Sequence, residues 1–135
     1  MFQFGAGSKE NLKTLDTLLA SVLESALESS LIDFSIVEGH RGKEKQNQYY
    51  NDGRSKIQWP NGKHNFIPSE AVDAVPFVNG KLSWKAPHCI FLAGVILRTG
   101  RMYEVRIRWG GNWDMDAEPI TDQDFQDLVH YELVK

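Results

Sequence analysis

The chain has 135 residues, enough for one compact domain with its own core and too few for a second. Eighteen acidic residues against fifteen Lys and Arg give a net charge of −3, which excludes the basic field on which nucleic-acid binding depends. The single cysteine, Cys89, excludes an internal disulfide and a cysteine-based zinc knot, and no stretch approaches the roughly 18 consecutive apolar residues of a membrane span.

In chain order, Met1–Gly7 lacks the basic start and continuous apolar run of a secretory leader, so synthesis in the cytoplasm is expected. From Ser8 to Ser30, Leu12, Leu15, Leu18, Leu19, Val22, Leu23, Ala26 and Leu27 recur at steps of three and four, predicting an amphipathic packing helix with Ser8 as its cap. Phe34–Val37 is a short β-branched strand ending near Gly39. Glu44–Tyr50 is helix-compatible and is broken by Asn51-Asp52-Gly53. Residues 54–68, with Pro60, Gly62 and Pro68, read as an ordered loop. Ala71–Phe77 is a buried strand, followed by a turn at Asn79-Gly80.

Ser83 is placed to cap a second helix that closes at Gly100. Met102–Trp109 alternates, with Tyr103, Val105, Ile107 and Trp109 on one side, and reads as a strand. An acidic loop follows, and Tyr131–Val134 forms a final strand. The order predicts a single α+β domain over residues 1–135, with a small, mostly antiparallel sheet packed against helices.

Asp73 is the residue out of place, because all its neighbours in Ala-Val-Asp-Ala-Val call for burial. A buried carboxylate has to be paired, hydrogen-bonded, protonated or bound to a metal. His64 lies nine residues before it, and His130 follows Asp127 by three near the last strand. Two histidines and a carboxylate are the parts of a catalytic zinc site, in which three protein ligands leave one position open. A further carboxylate can then serve as general base. Spacing alone cannot show that these residues meet.

Four segments carry a resemblance. Lys63–Phe77 has a histidine, a loop, then Ala-x-Asp and an apolar strand; Asp127–Leu133 has an acid followed three residues later by a histidine. Between them stands Trp109-Gly110-Gly111-Asn112-Trp113, and ahead of them stand Gly39-His40-Arg41 and Gln46. Together and in this order they resemble the zinc D-Ala-D-Ala carboxypeptidase and L-alanyl-D-glutamate endopeptidase family, in its short, phage endolysin-like form. The resemblance implies His64, Asp73 and His130 as zinc ligands at the sheet face, Asp127 as general base and Arg41 as a clamp on the substrate carbonyl or oxyanion. It also implies a peptidoglycan stem peptide as substrate, and a monomer without membrane insertion that reaches the wall through a pore made by another protein.

The bond between L-alanine and D-glutamate is the leading expectation. A D-Ala-D-Ala carboxypeptidase and a non-catalytic wall-binding module are the alternatives. The chain departs from the pattern in having Gly62 where the family has a serine, and in a loop two residues longer between His64 and Asp73. His40 and His88 read as loop and structural residues. Asp114, Asp116 and Glu118 read as a solvated cluster without the spacing of a calcium loop. Trp109 and Trp113 are divided between core and groove, and Glu132, two residues from His130, is a candidate partner for it.

Overall fold

The apolar stripe of the first thirty residues forms two helices, α1 (Ala6–Leu12) and α2 (Thr17–Ser29), in a computed structural model that describes residues 1–135. Asp16 makes the break, its side chain accepting from Leu18 N at 2.9 Å and so capping α2. The stripe hides the break because Leu12, Leu15, Leu19, Val22 and Leu23 are all buried on either side of it. Ser8 caps nothing. It lies inside α1, and its hydroxyl accepts from Ile36 N, tying the helix to the first strand.

The remaining elements are β1 (Asp33–Glu38), α3 (Lys43–Asn51), β2 (Ala71–Val78), β3 (Lys81–Leu82), α4 (Ala86–Met102), β4 (Ile107–Gly110) and β5 (Asp127–Leu133). All the strand pairings are antiparallel, in the order β1-β2-β5-β4, with β3 folding back on the end of β2. The α+β expectation therefore holds, and the differences are at element ends. Pro87 falls in the first turn of α4, where its missing N–H does no harm, and Lys85 rather than Ser83 precedes the helix. The helix passes through Gly100 to Met102, and Glu104 turns the chain with φ 58°. What reads as a strand from Met102 is thus helix and turn, and only its last residues pair.

Eighteen buried residues from α1, α2, the turn between them, α4 and the inner face of the sheet form the main core, with Leu19, Leu23, Leu92, Ile96, Val72 and Tyr131 inaccessible to solvent. Burying each large aliphatic side chain contributes about 1.5–3 kcal/mol. Alternation then dictates what the other face of the sheet carries. Val72 and Ala74 point into the core, so Asp73 points away; Tyr131 and Leu133 point in, so His130 and Glu132 point away; Ile107 and Trp109 point in, so Arg108 points away. In β1 the register slips between Ile36 and Glu38, bringing Glu38 opposite Asp73. That irregularity moves Glu38 from the parity of the core residues Phe34 and Ile36 to the polar face.

Candidate functional site

Strand register does most of the assembly. Asp73 of β2 stands directly opposite His130 of β5. His64 comes from a single 3₁₀ turn, Lys63–Asn65, that is held at both ends. Asn65 Oδ1 accepts from Gly62 N at 3.0 Å, and His64 O accepts from Arg41 N at 2.8 Å. Side-chain ligand atoms of His64, Asp73 and His130 all lie within 4.8 Å of one another.

The hydrogen bonds settle which atoms face inward. His64 Nδ1 is 2.7 Å from the carbonyl oxygen of Gly39, which can only accept, so Nδ1 carries the hydrogen and Nε2 offers its lone pair. That Nε2 is 3.3 Å from Asp73 Oδ1. His130 Nε2 is 2.8 Å from Glu132 Oε1 and donates to it, leaving Nδ1 towards Asp73 Oδ1 at 3.6 Å. Two imidazole lone pairs and a carboxylate oxygen therefore converge with no donor of their own between them. Such a set calls for a cation, and its N, N, O chemistry fits zinc with a fourth position open.

Without a cation a proton takes the place. Burial works against a charge on His130, but its contacts with Asp73 and Glu132 push it up to about 9. Burial also raises Asp73, yet the two histidines overcome this and hold it far below the usual carboxylate range. Glu132 is lowered to about 2: its burial is outweighed by His130 and by Arg108, whose Nη2 donates to Oε2 at 2.7 Å. Glu132 is thus the partner of His130 that the alternation of β5 suggests.

Arg41 is 7% exposed, and its donors are largely committed. Nε donates to Glu38 Oε1 at 2.7 Å, Nη2 bonds the same carboxylate, and Nη1 donates to Gln46 Oε1 at 3.0 Å. Nη2 also lies 3.7 Å from Asp73 Oδ2, so the guanidinium braces this carboxylate from the side away from the histidines. Asp127 opens β5 on the rim of the same cavity, where burial and the charge of Asp73 raise it above the ordinary carboxylate range. Gly110 makes that position possible. A Cβ there would lie 2.0 Å from the carbonyl oxygen of Asp127. Gly39 serves the opposite edge, where a Cβ would meet Thr14 Oγ1 at 2.2 Å and Asn11 O at 2.8 Å.

These residues line a cavity of about 760 Å³. Trp113 also lines it, with its ring 5.5 Å from that of His130, whereas Trp109 is core and donates from Nε1 to Leu128 O. The Gly62 departure has a physical counterpart. Asn65 Oδ1 would be 2.9 Å from a Cβ on Gly62, and Asn65 Nδ2 donates to Arg41 O and Gln46 Oε1. Asn65 therefore takes the space and the bracing role that a longer side chain at 62 would contest.

Glu38 and Asn65 are absent from the sequence expectations. Their contacts, to Arg41 three residues on and to a backbone 24 residues away, have no local signature. His40 and His88 do not line the cavity, and His88 pairs with Ser83. In the acidic loop, Asp114, Asp116 and Asp122 group together, all exposed.

Three comparisons relate the chain to known proteins. The sequence profile of the phage L-alanyl-D-glutamate peptidase family matches residues 1–134. The chain is 30% identical over 136 residues to the L-alanyl-D-glutamate peptidase of Escherichia phage T5, covering 98% of both. Its fold superimposes with a TM-score of 0.80 on the L-Ala D-Glu endopeptidase ChiX of Serratia marcescens, at 28% identity over 98% of this chain and 90% of that one.

Proposed function

The chain belongs to the phage L-alanyl-D-glutamate peptidase family, and on that premise we propose that it is a zinc endolysin hydrolysing the L-alanyl-D-glutamate bond of peptidoglycan stem peptides. The observation that carries the reading is the convergence of His64 Nε2, Asp73 Oδ1 and His130 Nδ1 in a cavity that Asp127 also lines. Those three atoms would hold the ion. Zinc held there supplies Lewis acidity towards water and the scissile carbonyl.

Asp127 takes the proton of the attacking water and returns it to the D-glutamate nitrogen as the C–N bond breaks. Its raised affinity for protons, set first by burial, suits it to hold that proton between the two transfers. Arg41 keeps Asp73 aimed at the metal position and adds a fixed positive charge that draws the scissile carbonyl oxygen. Glu132 and Gly39 O fix the two imidazole tautomers. The protein acts as a monomer, made in the host cytoplasm and admitted to the wall through a pore formed by another protein.

The test is Asp127→Asn, assayed on purified peptidoglycan by mass spectrometry beside a chelator-treated control. The variant retains zinc and loses turnover about 10²- to 10⁴-fold. The wild type yields fragments with a free D-glutamate amine, absent with chelator. Turnover by Asp127→Asn within a few-fold of wild type would remove Asp127 as general base. Release of single D-alanine would reassign the bond.

A further inference from the structure

The cavity wall formed by α3 and the loop after it carries more positive charge than its own carboxylates balance. Arg41, Arg54 and Lys45 lie 4.5, 4.0 and 5.7 Å from the centroid of the Tyr49 ring. Glu38 is the acid among them, and it is shared by Arg41 and Lys45. Arg54 and Lys56 have no carboxylate within ion-pairing distance, although both line the cavity. The chain as a whole is acidic, so this is a local arrangement and not an overflow of basic residues.

The loop that carries these two exposed side chains is pinned by a buried one. Gln46, 1% exposed, donates to Ser55 Oγ at 3.0 Å and to Ile57 O at 2.5 Å, gripping the loop on either side of Lys56. Arg54 N and Ser55 N both donate to Tyr49 O. A chain of contacts links each cation to the candidate metal site. Arg54 shares the Tyr49 ring with Arg41, which is 3.7 Å from Asp73. Lys56 Nζ is 5.4 Å from the Phe125 ring, which stacks on Trp113, which in turn meets His130.

Resting on the reading above, we propose that Arg54 and Lys56 form a carboxylate subsite for the D-glutamate side of the substrate. A γ-linked D-glutamate leaves a free α-carboxylate on the carbon that bears the scissile nitrogen. In the cavity that group also meets carboxylates, Asp127 among them, and cations not already paired to a carboxylate offer it a counter-charge. Anchored cations supply it without the ordering penalty of a free loop. The same carboxylate chemistry is offered by the side-chain carboxylate of a diaminopimelate one residue further on, and the two sources are separable.

The experiment uses three stem tetrapeptides beginning L-Ala-D-Glu: one with a free glutamate α-carboxylate and lysine at position three, one with that carboxylate amidated and lysine, and one amidated with diaminopimelate. Hydrolysis is followed with wild type and with Arg54→Gln/Lys56→Gln, melting curves confirming that both fold. Binding of the intact peptides is measured by calorimetry in an Asp127→Asn background. Wild type prefers one charged peptide over the amidated lysine peptide by about fivefold to tenfold, expressed in KM and in affinity. The first peptide being preferred identifies the glutamate carboxylate, and the third the diaminopimelate carboxylate. The double variant handles all three alike. Equal treatment of all three by wild type, or a preference that survives in the double variant, overturns the subsite. Carboxylate-dependent binding lost in the double variant, with no cleavage of any peptide by wild type, would keep the subsite and sink the proposed peptidase.

Discussion

At the scale of single residues, the site is a problem of where protons go. Three inward-facing acceptors cannot share a small buried space without a positive charge among them, and His130 provides it when no metal is bound. The folded His130 titrates at about 9, above its value of 6.5 in an unfolded chain. Its stabilising effect is therefore fully present below pH 6.5 and is lost as pH rises through 9. Glu132 runs the other way. Lowered to about 2 from 4.5, it contributes above pH 4.5 and ceases to as pH falls through 2. Metal-free protein should melt highest between about pH 4.5 and 6.5 and lose melting temperature steadily towards pH 9. Zinc requires a neutral His130, so loading with metal should abolish the alkaline decline, and His130→Ala should abolish it in the metal-free protein. Thermal melts across this range, with and without zinc, check the claim; an alkaline decline undiminished in His130→Ala would refute it. Of the candidate ligands, Asp73 was legible in the sequence because it contradicts its apolar neighbours, whereas His64 and His130 joined it only through the family resemblance. Their inward-facing atoms were not legible, since the tautomers depend on Gly39 O and on Glu132 contacts that only the folded chain creates.

At the scale of elements, the site depends on two strands being in register and close at one end. Asp73 faces His130 across the β2–β5 pair, and Gly110 faces Asp127 across the β4–β5 pair. The second pairing is tight enough that any side chain at 110 collides with backbone, which has no rotamer to offer in relief. Gly110→Ala should therefore displace the start of β5, costing about 2–3 kcal/mol in urea unfolding and lowering turnover by more than zinc affinity. Asp127 sits at the displaced end, while His130 is three residues further along. Equal loss of zinc and activity would place the disturbance at the ligands instead. Gly110 was visible in the sequence as part of the Trp109–Trp113 segment, but the reason for it was not, because the constraint comes from a chain segment 17 residues away. The helix break at Asp16 was hidden for a different reason. The buried leucines keep helical spacing across it, so periodicity had nothing to report. Conversely, the alternation from Met102 suggested a strand where α4 continues, and Val105 and Ile107 keep it only after the turn at Glu104.

At the scale of the whole molecule, the sheet separates two tasks. One face, with α1, α2 and α4, carries the apolar core; the other carries the candidate ligands Asp73 and His130 with Glu38, Arg108 and Glu132, and His64 and Arg41 reach it from flanking loops. The fold class was legible because that core follows the periodicities of helix and strand, whereas the polar face is assembled by cross-strand register that single segments do not encode. The separation predicts what chelation does. None of the core residues is a candidate ligand, and the ligand set can satisfy itself with a proton on His130. Zinc removal should therefore leave the far-ultraviolet dichroism and a cooperative unfolding transition intact while abolishing hydrolysis, and added zinc should restore activity without refolding. Zinc should also raise the melting temperature in a concentration-dependent way, because it binds the folded chain in preference to the unfolded one. Loss of helical signal on chelation at pH 6 would make the metal a structural element of this domain, and the two faces would then not be energetically independent.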